Sequence, residues 1–281
     1  MSSAEPSNPG GTGERGAPDV GARGCVRDAL GSLRNLERLL QSIKVGPRAL
    51  SSVIPAVHAS CGPLLGAVRQ LLEGLTPLGA APAAVEAYVT PRVVALEKAL
   101  ERAGSAPLNA RRRLELESAV ARAVAELETG CALVELLERA HTGTGTFVSL
   151  LEVARSTHRV PDGASSSGYE QFSVTVVARP APDVLVDPRV AAELVAIAVR
   201  RVASTPGAGR PHLEIGPTGN ARVSIRVSPG PAEGEPLVIL APRLIEPTLA
   251  AALAAARACG GDFVVGEDGG IALEWPASAG E

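Results

Sequence analysis

Aromatic residues are nearly absent. Trp, Tyr and Phe together make up 2% of the chain, against a hydrophobic fraction of 46%. Any core must therefore be filled by Ala, Leu and Val, a composition that suits helices packed closely through small side chains. The four cysteines, Cys25, Cys61, Cys131 and Cys259, are scattered. Without a Cys-x-x-Cys pair or Cys/His ligand spacing they offer no structural zinc site, and a reducing cytoplasm is the simplest location. No apolar run approaches the ~20 residues of a membrane span, and no charged-then-apolar signal pattern opens the chain. A soluble protein without a membrane partner is the expectation. The net charge is −3 and the charged fraction 20%, so no basic face marks a nucleic-acid partner. The isolated run Arg111-Arg112-Arg113 reads as a solvated helix start.

Familiar catalytic signatures are missing as well. There is no Gly-x-Ser-x-Gly elbow and no His-Glu-x-x-His, and the histidines number only four: His58, His141, His158 and His212. The glycine-rich Thr142-Gly143-Thr144-Gly145-Thr146 lacks the following Lys-Ser/Thr of a phosphate loop and reads as a flexible link. Neither a metal site nor a cofactor is expected.

What remains is periodic. Residues 1–22 are rich in Ser, Pro and Gly and too poor in large apolar groups to offset the entropy of ordering, so they read as a disordered tail. From residue 23 to 143 four apolar stripes at three-four spacing predict four helices. The first runs through Val26, Leu30, Leu33, Leu36, Leu40 and Ile43. The second starts at Pro47 and runs through Leu50, Ile54, Val57, Cys61, Leu64, Val68, Leu71 and Leu75, with Pro55 and Pro63 expected to bend it. The third uses Val85, Val89, Val93, Leu96 and Leu100. The fourth uses Leu116, Val120, Val124, Leu127, Cys131 and Val134. Short Pro/Gly links join them into an antiparallel bundle, closed either within the chain or with a second copy.

Residues 144–281 change character. Phe172, Val174 and Val176 alternate as in a strand, Asp183 to Val186 is a short strand, and Asp187 to Ala203 a helix. Hairpins are expected across GPTGN and GEDGG, with a further strand at Leu237 to Leu240 and an Ala-rich helix from Pro247 to Ala258. Gly260-Gly261 would stop that helix. The fold class is thus α + α/β: an antiparallel helical bundle followed by an α/β sandwich.

His58 sits ~100° around the second helix from Val57, at the border of the apolar stripe. From this segment alone it is either an exposed, inert side chain or a chemical one.

Taken in order, these pieces resemble the two-domain core of bacterial sensor histidine kinases. His58-Ala59-Ser60-Cys61-Gly62-Pro63-Leu64 has the His-x4-Pro-Leu spacing of that family's phospho-accepting helix. FVSLLEVAR, PDVLVDPRVAAELVAIAVRRVAS, ARVSIRVSPG and LAAALAAARACGGDFVVGEDGGIALEWP follow its ATP-binding domain in order and spacing. The resemblance covers roughly residues 47–76 and 147–277; residues 77–110 add a helix that the family's two-helix hairpin lacks.

The departures bear on function. The helix after Asp187-Pro188 should carry two asparagines for magnesium and phosphate; those positions are Ile197 and Arg201, and magnesium needs neutral or anionic oxygens. The family's Asp-x-Gly-x-Gly is here Ser228-Pro229-Gly230-Pro231-Ala232, without the carboxylate that reads adenine. The glycine-rich lid is replaced by APRLIEPTLAAALAAA. The acidic residue that usually follows the histidine is Ala59. The resemblance therefore implies a degenerate kinase-like protein that binds no ATP and works as a dimeric histidine phosphotransferase. His58 would take a phosphoryl group from one response-regulator receiver domain and give it to another. The alternative is a pseudokinase adaptor that binds receivers or a sensor kinase without phosphoryl chemistry. A third reading is an active kinase with an unusual pocket.

Overall fold

The computed structural model describes residues 20–42, 47–105, 108–157, 169–207, 209–219 and 221–278. Ile43, Gly46, Pro107, His158, Asn220 and the tail up to residue 19 lie outside the described residues. The tail expected to reach residue 22 stops short of it, because helix α1 begins at Val20 and buries Ala22.

Four helices come first: α1 (Val20–Gln41), α2 (Pro47–Glu73), α3 (Ala81–Gly104) and α4 (Ala110–Thr142), with a 3-10 turn at Thr76–Leu78. Each apolar stripe faces inward. Leu33, Leu36, Leu40, Leu50, Ile54, Val57, Val85, Val89, Leu96, Leu127 and Val134 are all buried. Neighbouring helices pack in the ring α1–α2–α3–α4 and back to α1. The bundle therefore closes within one chain, and the stripes need no second copy to cover them. Ion pairs Arg23–Glu138 and Arg34–Glu128 run in opposite directions along α1 and α4, as antiparallel helices require. Pro55 and Pro63 lie inside α2 without interrupting it, and Pro91 does the same in α3.

Two sequence expectations are corrected in the bundle. Leu50–Glu73 is, by length and composition, apolar enough to cross a membrane, so one run does reach span length. It passes because α2 has few charges, although its Leu and Val stripe is buried against the other helices. Arg113, expected to be solvated, reaches back to the end of α1. Its Nη2 donates to the carbonyls of Leu40 at 2.8 Å and Ser42 at 2.6 Å. It thereby satisfies acceptors that a helix C-terminus leaves open.

The second part holds strands β1 (Thr146–Val148), β2 (Tyr169–Ala178), β3 (Val184–Val186), β4 (Pro211–Thr218), β5 (Arg222–Pro229), β6 (Glu235–Pro242), β7 (Asp262–Val265) and β8 (Ile271–Pro276). Helices α5 (Leu150–Ser156), α6 (Pro188–Ala203) and α7 (Thr248–Ala258) are interleaved with them. Six strands form a mixed sheet in the order β6-β2-β4-β5-β8-β7, with β2 and β4 parallel and the other pairs antiparallel. α6 is the crossover between the parallel strands. Its first turn is set by Asp187, whose Oδ1 accepts from the amides of Arg189 at 2.8 Å and Val190 at 3.2 Å, with Pro188 at the first helical position.

β1 pairs with β3, Phe147 opposite Leu185. The glycine-rich link expected to be flexible is in fact a close approach. Its last residue, Thr146, is already in β1, and a Cβ at Gly145 would lie 3.2 Å from Leu185 Cγ and from the Val186 amide nitrogen.

α7 joins the two parts. It packs against β7 and α6 on one side and against α3 and α4 on the other. Ala251, Ala252, Ala255 and Ala256 are all fully buried, and their small side chains let the helix sit closely between both layers. Buried residues from Ala29 to Trp275 form one connected cluster.

Candidate functional site

The turn of α2 around His58 is tied down on its core side. Val57 is buried, and its carbonyl accepts from Ser60 Oγ at 2.7 Å and, more loosely, from Cys61 Sγ at 3.6 Å. Pro63 has no amide hydrogen and cannot donate to the Ala59 carbonyl four residues back. His58 itself is half-buried. Among the described residues it forms no hydrogen bond and no ion pair.

Cys61, one turn on, is a poor competitor. Burial first, and the Glu97 carboxylate second, push its thiol up to about 11, so it stays protonated near neutral pH.

The flanks of α2 differ. An open groove of about 500 Å³ runs between α1 and α2, lined among others by Cys25, Asp28, Ser32, Ser60 and Pro63. His58 is not part of that lining. At about 100° per residue it lies on the other flank, the one turned toward α3, where Arg69 pairs with Glu86 at 2.9 Å.

The positions expected to form a degenerate nucleotide pocket lie on α6 and around the end of β5. Ile197 is fully buried in the apolar core, and Arg201, one turn later on α6, is exposed. Ser228, one residue before the end of β5, lies opposite His212 of β4. Gly230, at φ +113°, donates its amide to the Arg210 carbonyl at 3.1 Å and presents its own carbonyl to His212 Nδ1 at 3.2 Å. Ala232 follows, half-buried. Among the described residues no hydrogen bond or ion pair links the side chains of Ile197 or Arg201 to the Ser228–Ala232 segment. Nor is any group of three or more His, Cys, Asp or Glu placed to hold a metal ion among those residues.

The structure also assembles a titratable group that the sequence did not announce. At the seam between α4 and α6, the Glu193 carboxyl is pushed up to about 7. Burial is the main cause; Arg139 opposes it and Glu135 adds to it. The Tyr169 hydroxyl, near the same charges, is pushed far up, again mainly by burial. These residues come from α4, α6 and β2, so no local motif could have grouped them.

No family model matches this chain. No curated protein matches it either. Among solved structures, the histidine kinase AdeS of Acinetobacter baumannii is similar at 13% identity and a TM-score of 0.38, over 67% of this chain and 96% of that one. At that identity and score the likeness carries no functional argument.

Proposed function

We propose that this chain is a histidine phosphotransfer protein of two-component signalling. His58 Nε2 would attack the aspartyl phosphate of a response-regulator receiver domain, and the phosphoryl group would then pass to a second receiver. The observation that carries this reading is the state of His58: a half-buried imidazole on α2, without a hydrogen bond or ion pair among the described residues, followed by Pro63-Leu64. A neutral imidazole is a competent nucleophile near pH 7, and phosphoryl transfer depends mostly on positioning.

The reading needs no ATP. Ile197 offers no oxygen to a cation and is enclosed in the core, and by the sequence resemblance Ser228 takes the position of the carboxylate that would read adenine. It also needs no second copy at the bundle seam. A homodimer would have to form through the outer helix faces. Four free thiols fit the reducing cytoplasm expected for such a protein.

The second reading, a pseudokinase adaptor, is favoured by Ala59, which leaves the histidine without a carboxylate beside it in sequence. One experiment separates the two. A panel of phosphorylated receiver domains is incubated with the wild type and with His58→Ala. Acid-labile, base-stable label on the wild type alone supports transfer. Tight receiver binding with no label on either protein makes the chain an adaptor.

A further inference from the structure

The ion pair between Arg69 of α2 and Glu86 of α3, at 2.9 Å, marks how these two antiparallel helices are set against each other. His58 lies eleven positions before Arg69, and Glu97 lies eleven positions after Glu86. Eleven residues are about three turns, or roughly 16 Å of rise, and return to the same helix face within about 20°. Moving from the ion pair in one direction along both helices therefore leads to His58 on α2 and Glu97 on α3. The phases agree from the other side as well. Tyr88 and Arg92 turn to the opposite flank of α3, where Arg92 pairs with Glu126 of α4 at 3.1 Å. A second sign of nearness is that the Glu97 charge acts on Cys61, one turn from His58.

Both side chains are half-buried, and among the described residues Glu97 has no ion pair or hydrogen bond of its own. No contact joins Glu97 to His58 in this structure; the pair inferred below needs rotation of the two side chains.

We infer that Glu97 is the positioning residue of His58, its carboxylate accepting a hydrogen bond from Nδ1–H. The inference rests on the phosphotransfer reading for its purpose, not for its geometry. In a neutral imidazole the hydrogen bond made by one nitrogen decides which nitrogen carries the proton. With Nδ1–H held by Glu97, the lone pair is on Nε2. That lone pair forms the N–P bond while the P–O bond to the receiver aspartate breaks, and the departing electrons leave as its carboxylate. The proton stays on Nδ1, and the nearby carboxylate offsets the positive charge that the ring acquires. On transfer to the second receiver the N–P electrons return to Nε2.

The test uses the full chain, with the ring nitrogens of histidine labelled and His58 assigned by its loss in His58→Ala. Nitrogen-15 NMR then reads the two tautomers in the wild type, Glu97→Ala and Glu97→Gln. Circular dichroism checks that each folds, and Glu86→Ala serves as a control for helix packing. Glu97→Ala is expected to lower the Nδ1–H fraction at His58 and to slow transfer about 100-fold, with receiver affinity unchanged. Glu97→Gln, whose amide oxygen still accepts from Nδ1–H, should keep the tautomer. An unchanged tautomer ratio in Glu97→Ala overturns the inference, even if receivers label the wild type. A shifted ratio with no label from any receiver upholds the pair and overturns the transfer reading instead.

Discussion

Gly130 of α4 meets Val89 of α3 closer than any side chain could. A Cβ at Gly130 would stand 2.7 Å from Val89 Cγ2. Val89 is fully buried, and a β-branched residue on a helix has little freedom to swing aside. Gly130→Ala should therefore destabilise the protein by about 1–2 kcal/mol, despite alanine's better helix propensity. Urea unfolding followed by circular dichroism measures this. The double variant with Val89→Ala should recover part of the overpacking loss.

Arg113 ties the start of α4 to the end of α1 through the Leu40 and Ser42 carbonyls. Removing it strands two acceptors at a helix end, so Arg113→Ala should cost about 1–3 kcal/mol. Arg113→Lys keeps the charge but not the planar fork and should recover only part of the loss. The comparison of unfolding midpoints for both variants checks whether the geometry, rather than the charge, matters.

Glu193 makes stability depend on pH. Its ordinary value of 4.5 is raised to about 7 in the folded chain, chiefly by burial. Between these values the unfolded chain releases the proton while the folded chain keeps it. Stability from this group therefore falls as pH rises through that window and is level above it. Glu193→Gln should match the wild type near pH 4 and exceed it at pH 8 by at most about 3 kcal/mol. Unfolding free energies measured across that range would expose the opposite sign at once.

Trp275 is the single tryptophan, fully buried, and a Cβ at Gly261 would lie 2.5 Å from its Nε1. Native emission should be that of a buried indole. Gly261→Ala should shift it toward the solvated value and lower stability by about 1–3 kcal/mol. Because one connected core reaches from α1 to β8, Leu33→Ala in the bundle should also move the Trp275 unfolding transition. Coincident fluorescence and circular dichroism curves check this.

Much of the fold could be read before any coordinates. The helices begin and end where the Leu and Val stripes meet Pro and Gly, since a periodic stripe is a local property and Pro and Gly act locally too. Both hairpins and the Ala-rich α7 follow for the same reason. His58 at the edge of the stripe was likewise a matter of phase along one helix.

What only the tertiary structure decided involves partners distant in sequence. Apolar stripes do not say whether another copy or the same chain covers them; the packing of α1 against α4 closes the ring within one chain. A glycine-rich link looks the same whether it is loose or pressed against β3, and the contact of Gly145 with Leu185 showed which. Three arginines in a row do not reveal that the third reaches back to α1. The α2–α3 register, marked by the Arg69–Glu86 pair, is what the proposed pairing of Glu97 with His58 rests on. Periodicity orients each helix about its own axis, but the relative shift of two helices is set by the side chains between them.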